Sequence, residues 1–151
     1  MRLDIDYLLH KDNLIIKKEG ATTKILDPIR KKLLVLTPEE FVRQLLIQYL
    51  IKEKSFNEHR IGIEKKVVFN KMPKRCDVLI YDKNMDPFML VECKSAEVKV
   101  NQSTFEQIAR YNYPLKVPYL LVTNGLATYC CKIDYNIEHF EFLSEIPSYP
   151  E

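Results

Sequence analysis

Glycine is scarce in this chain, three in 151 residues, too few for the Gly-rich loop that cradles the phosphates of a nucleotide, so a P-loop is excluded. The four cysteines, Cys76, Cys93, Cys130 and Cys131, show no Cys-x-x-Cys spacing, and His10, His59 and His139 stand apart from one another. Zinc frameworks need ligands clustered at short intervals, and none is present. Also missing are a Ser/His/Asp arrangement, an internal repeat and a low-complexity tract. No apolar run approaches the roughly 18 residues of a membrane span, and the first six residues carry acids where a signal peptide has an apolar core. The expectation is a cytoplasmic protein with reduced thiols and no membrane partner. Positive charge is in small surplus, +2 overall, so bulk electrostatics neither requires nor excludes nucleic acid.

What remains is a chain of the size of one domain, with 46% hydrophobic residues to fill a core. Residues 1–36 alternate short apolar and charged runs and read as N-terminal strands packed on that core. Thr37-Pro38-Glu39-Glu40 is a helix start, with Thr37 as cap, Pro38 at the first helical position and Glu40 completing a capping box. The helix should run to about Lys54, with Phe41, Val42, Leu45, Leu46, Tyr49 and Leu50 on its apolar face. A strand is predicted from Ile61 to Asn70, carrying Glu64. A second capping box, Ser103-Thr104-Phe105-Glu106, opens a helix that places Gln107 and Tyr111 one turn apart on one face. Asn124-Gly125, between Pro118–Thr123 and Leu126–Ile133, has the chemistry of a type I′ hairpin turn. Residues 136–151 read as a C-terminal tail, a short helix or a loose end, with everything belonging to one domain. This order of elements predicts an α/β mixed sheet with a helix on each face.

The most informative segment lies in the middle. Cys76-Asp77-Val78-Leu79-Ile80-Tyr81 and Phe88-Met89-Leu90-Val91-Glu92-Cys93-Lys94 are apolar, strand-like runs flanking a polar insert from Asp82 to Pro87, which reads as a β-hairpin. Symmetric closure pairs Tyr81 with Phe88 and, four residues back, Asp77 with Glu92. Lys94 then shares a face with both acids. Val78, Ile80, Met89 and Val91 would point to one side and Leu79, Tyr81, Phe88 and Leu90 to the other, as in an interior hairpin covered on both faces. The same register sets Cys76 opposite Cys93, read as two reduced thiols, with a cross-strand disulfide as the lesser alternative.

Charges in such apolar strands need a reason. Two carboxylates within about 5 Å of each other in a partly dry site repel, and one protonates unless a cation is near. Lys94 supplies one charge, and a hard divalent ion such as Mg²⁺, which accepts one or two carboxylates together with waters and phosphate oxygens, would supply more. The chemistry this implies is phosphodiester hydrolysis. The plain alternative is an Asp-Lys-Glu salt bridge at a strand end.

Asp77 followed by Glu92-Cys93-Lys94 has the PD-(D/E)xK pattern. Around it stand Pro38-Glu39-Glu40-Phe41-Val42-Arg43-Gln44, Val91-Glu92-Cys93-Lys94-Ser95, Gln107-Ile108-Ala109-Arg110-Tyr111 and Val122-Thr123-Asn124-Gly125. In that order, from about Asp27 to Tyr135, the chain resembles the N-terminal nuclease domain of type I restriction enzyme R subunits. Cys76 stands in place of the motif's proline, a position that supplies no ligand. The motor domains of R subunits have no counterpart in this sequence, so the expectation is a domain that acts without them.

The resemblance implies a restriction-endonuclease-like fold over a core at residues 37–135. It implies Mg²⁺, with Mn²⁺ as substitute, bound by Asp77, Glu92 and the backbone carbonyl of Cys93. Lys94 would position the attacking water, and Gln107 would assist from the second helix with Tyr111 beside it. Glu40 and Glu64 are the natural extra ligands if two ions act, with Glu39 as an alternative to Glu40. The basic run Lys71, Lys74 and Arg75, just before Asp77, could touch a phosphate backbone. Implied partners are DNA and restriction-modification subunits, and pairing of two copies stays open. The rival function is a non-catalytic module that keeps the fold and docks on DNA or on a restriction-type complex.

Overall fold

The computed structural model describes residues 2–69 and 71–150. After a 3-10 turn at Tyr7–Asn13 come β1 (Ile16–Glu19), β2 (Thr22–Asp27), β3 (Lys32–Val35) and α1 (Pro38–Lys52). There follow β4 (Ile61–Phe69), β5 (Met72–Tyr81), β6 (Pro87–Cys93), α2 (Gln102–Asn112), β7 (Tyr119–Thr123), β8 (Thr128–Asp134) and β9 (His139–Phe142). The first three strands form a small antiparallel sheet of their own. The other six form one sheet in sequential order, antiparallel except for β6 against β7. A parallel neighbour requires a crossover, and α2 lies in it. The fold is the expected α/β mixed sheet with one helix on each face.

Each face has its own core. On the α1 side, Val42, Leu46, Ile47 and Leu50 pack against Val78, Ile80, Met89 and Val91. On the α2 side, Phe105 and Ala109 pack against Leu79, Leu90, Leu120 and Val122. The predicted hairpin register holds in its body, with Val78 opposite Val91, Leu79 opposite Leu90 and Ile80 opposite Met89. At the turn it does not. A bulge between Ile80 and Tyr81 pairs Tyr81 with Pro87, which leaves Phe88 as the extra residue. Phe88 accordingly sits on the α1 side, against Phe56, Tyr119 and Tyr149, and not with Leu79 and Leu90.

α1 starts as its sequence demands: the Thr37 hydroxyl accepts the Glu40 N–H at 3.0 Å and Pro38 opens the first turn. Glu40 does not close the capping box; its carboxylate turns to arginines. α2 begins earlier than predicted, because Asn101, not Ser103, caps it by accepting the Thr104 N–H at 2.9 Å. The Asn124-Gly125 turn is longer than the two-residue form. Thr123 pairs with Thr128, and only Gly125 of the two turn residues has a positive φ. The Asn124 side chain spans the loop instead, accepting from Leu126 N–H and Ala127 N–H and donating to the Val98 carbonyl. The expected loose tail is a strand: β9 extends the sheet, Ile146 is buried, and the Tyr149 hydroxyl donates to the Tyr81 carbonyl at 2.8 Å. β4 follows its predicted course from Ile61; Asn70, its predicted end, lies outside the described residues.

Candidate active site

The site forms where the β5–β6 hairpin opens. Its backbone pairing ends at Val78 and Val91, and beyond that point the Cys93 N–H donates to Asp77 Oδ2 at 2.9 Å. A carboxylate thus stands where a ladder carbonyl would be. On its other edge β6 stays paired, Glu92 with Val122 and Cys93 with Thr123, and the Lys94 N–H reaches the Thr123 carbonyl at 2.8 Å. β6 is held by β7 while β5 leaves it, and the acids fill the fork. β5 breaks alternation there, which sends Cys76 into the α2-side core, while Cys93 keeps the alternation of Met89 and Val91 and lies in the α1-side core. Both thiols are free, and the cross-strand disulfide alternative is ruled out by their facing opposite sides of the sheet.

Asp77 and Glu92 lie side by side, within hydrogen-bonding reach when one of them is protonated. Burial pushes the Glu92 carboxyl up to about 8; the Asp77 charge and the hydrogen bond to Asp77 add to this, and Lys94 opposes it. Glu39, on the first turn of α1, is raised as well, by desolvation first and then by Asp77, with Lys94 and Arg43 pulling the other way. Asp77, Glu92, Glu39 and Lys94 therefore share one electrostatic environment. Among the described residues Lys94 forms no salt bridge, so the plain Asp-Lys-Glu bridge is not what the structure shows.

Glu40 and Glu64, the other expected acids, belong to a separate cluster. Glu40 accepts from Arg43 Nε at 2.8 Å, from Arg43 Nη2, from Gln44 Nε2 at 3.1 Å and from Arg30 Nη2 at 3.5 Å. Glu64 faces Arg30 at 3.2 Å, Arg75 at 2.9 Å and Arg43 at 3.6 Å. Buried Asp27 completes the group, holding Arg30 Nε at 2.6 Å and the backbone N–H groups of Ile29 and Arg30. Glu64 has a φ of 50°, left-handed in the middle of a strand, a conformation that costs on the order of 1–3 kcal/mol for a non-glycine residue. Beside this cluster a cleft of about 460 Å³ opens between Thr37, Glu39, Glu40, Arg43, Glu64 and Ser95.

Gln107 is exposed on α2 and makes no hydrogen bond to Asp77, Glu92 or Lys94 among the described residues. Tyr111 is exposed too, with the Lys74 ammonium 4.3 Å over its ring and donating to its carbonyl. Arg75 is bound to Glu64, and Lys71 lies exposed in the left-handed turn of the β4–β5 hairpin. The sequence did not point to Arg30, Arg43 or Asp27. Arg43 was readable as the i+3 partner of Glu40, and Asp27-Pro28 as a turn signal. That Arg30 reaches Glu64, 34 positions away, depends on how the small sheet packs.

The metal has to be judged from the donor set. Among the described residues no group of three or more His, Cys, Asp or Glu side chains is arranged to hold an ion. Two adjacent carboxylates, one with its proton affinity raised by burial and then by the other's charge, do suit a hard cation that keeps most of its water, and Mg²⁺ is such a cation. The fit is to Mg²⁺ or Mn²⁺ and not to zinc.

A mixed sheet covered by a helix on each face is a restriction-endonuclease-like α/β architecture, and two acids and a lysine lie where its interior hairpin parts. The sequence profile of the family described as type I restriction enzyme R protein N terminus (HSDR_N) matches residues 38–147. That is well over half of the chain, and the chain belongs to this family. In fold it is similar to a solved fragment assigned to an HsdR subunit of a type I restriction enzyme from Vibrio vulnificus YJ016. The TM-score is 0.50 at 20% sequence identity, over 75% of this chain and 24% of that one. The chain thus spans about a quarter of the length of that structure. No curated protein matches it. Among the described residues no helix is long and apolar enough to cross a membrane.

Proposed function

We propose that the chain is a Mg²⁺-dependent endonuclease domain that hydrolyses DNA phosphodiester bonds. The observation that carries this reading is the Asp77–Glu92 pair, two carboxylates side by side at the fork of β5 and β6 with Glu92 pushed up to about 8. Burial first and the Asp77 charge second raise that carboxyl, so without a cation the pair holds a proton between its two oxygens, and a divalent ion would take that proton's place. Asp77, Glu92 and the Cys93 carbonyl would hold the ion. When bound, it would polarise a phosphoryl oxygen and lower the pKa of a water. Lys94, close enough for its charge to be felt by Glu92 and Glu39, donates hydrogen bonds that orient the attacking water and offset charge growing on the phosphate. Gln107, a neutral amide, contacts a phosphate without repelling it.

DNA as substrate draws support from the β4–β5 hairpin, where Lys65, Lys66, Lys71, Lys74 and Arg75 follow one another with no acid between. Restriction-modification subunits, and a second copy of the chain if both strands are cut, are the partners that go with the reading. The test is plasmid cleavage with Mg²⁺ or Mn²⁺. Wild type should nick or linearise DNA, and Lys94→Ala should fall by about a hundredfold or more, the scale of losing one group that stabilises transition-state charge. Cutting that survives in each of Asp77→Ala, Glu92→Ala and Lys94→Ala would overturn the proposal. Salt-sensitive DNA binding without metal-dependent cutting would favour the non-catalytic module.

A further inference from the structure

We infer that the site takes one divalent cation, because Arg30, Arg43 and Arg75 occupy the acids that would hold a second. The inference rests on the nuclease reading and concerns the number of ions in it.

An ionised carboxylate has about four lone-pair positions. On Glu40 four N–H donors already fill them: Arg43 Nε and Gln44 Nε2 on Oε2, Arg43 Nη2 and Arg30 Nη2 on Oε1. Glu40 borders the cleft, but Arg43 holds both of its oxygens, so an ion binding there would have to displace those guanidinium bonds. Glu64 gives Oε2 to Arg30 and Arg75 and faces Arg43 with Oε1. Its left-handed backbone breaks the side-chain alternation of β4 at the residue that register would set against Asp77, since Ile63 pairs with Val78 and Lys65 with Cys76.

Charge leads to the same conclusion. The cluster holds three acids, Asp27, Glu40 and Glu64, against three arginines, a net charge of zero. A neutral cluster presenting guanidinium groups offers a divalent cation nothing and would repel it at close range. Arg43 also acts on Asp77 and Glu39, so the two groups are counted together: six acids, Asp27, Glu40, Glu64, Asp77, Glu92 and Glu39, against Arg30, Arg43, Arg75 and Lys94, a surplus of two negative charges when all are ionised, lying on the Asp77 side. That surplus matches one Mg²⁺. Guanidinium groups fixed beside the cleft then stand where a second ion would otherwise offset charge on the phosphate.

Titration of the whole chain with Mn²⁺ by calorimetry tests this. One ion per chain is expected, with no uptake by Asp77→Asn. Glu64→Gln should bind Mn²⁺ within about threefold of wild type, whereas removing a true ligand or its direct support costs about tenfold or more. Two ions per chain, or a loss of tenfold or more in Glu64→Gln, would overturn the inference and leave the nuclease reading standing. No uptake by wild type would overturn both. Should Glu64→Gln fail to fold, the wild-type stoichiometry decides alone.

Discussion

Asp77→Asn should lose metal binding and cleavage while keeping the fold, and Asp77→Ala should lose both function and stability. The two outcomes differ because Asp77 does two things through one side chain. Its Oδ2 accepts the Cys93 N–H that no strand carbonyl serves, and its charge sits against Glu92. Asparagine keeps the acceptor oxygen and removes the charge. Alanine removes both and strands a backbone N–H, which costs about 1–3 kcal/mol. Urea unfolding should therefore rank wild type and Asp77→Asn close together with Asp77→Ala well below. Cleavage should fall by at least about a hundredfold in both variants. Equal stability of the two variants would mean that the Asp77–Cys93 bond does not hold the fork.

Glu92 should make the metal-free protein less stable as pH rises. Its carboxyl titrates at about 8 in the folded chain against an ordinary 4.5, so across that window the folded state holds the extra proton. Stability is then fully present below about 4.5, falls as pH climbs, and levels off above about 8. A divalent ion needs the deprotonated form, so Mg²⁺ affinity should run the opposite way, tightening about tenfold per pH unit below 8 and flattening above it. Thermal unfolding from about pH 5 to 9, with and without Mg²⁺, shows both trends. Glu92→Gln should abolish the metal effect and flatten the slope of the metal-free curve. A wild-type curve that coincides with that of Glu92→Gln at every pH would contradict the coupling.

Much of this site was legible before any coordinates, for a physical reason. Val78, Ile80, Met89 and Val91 are apolar on one face and Leu79 and Leu90 on the other, and a slip of one residue would exchange the faces of every side chain, so the register had little freedom. That register carried Asp77 to the level of Glu92, and the bond from the Cys93 N–H holds it there beyond the end of the pairing. What was not legible depends on interruptions of regularity. The bulge that moves Phe88 across the sheet falls beside Pro87, which has no N–H for a ladder, and the fork that separates Cys76 from Cys93 arises where the Asp77 carboxylate replaces a ladder carbonyl. Asn101 and Ser103 are both good caps, and Asn101 holds the position. In β9, Phe140 and Phe142 share one face, a period-two signal too short to stand out in a weakly patterned tail.

The arginine cluster was the largest omission and the one with most bearing on chemistry. Glu40 and Glu64 read as candidate ligands because acids near a metal motif invite that reading, and only tertiary packing brings Arg30 and Arg75 onto them. Glu39 forms no salt bridge among the described residues and shares the field of Asp77. The division of these acids between two groups came from the fold and not from the resemblance.

The most direct measurement is anomalous diffraction from crystals soaked in Mn²⁺. The result expected is a single peak per chain, in contact with the carboxylates of Asp77 and Glu92. A peak beside Glu40 and Glu64, or no peak at the fork of β5 and β6, would contradict it.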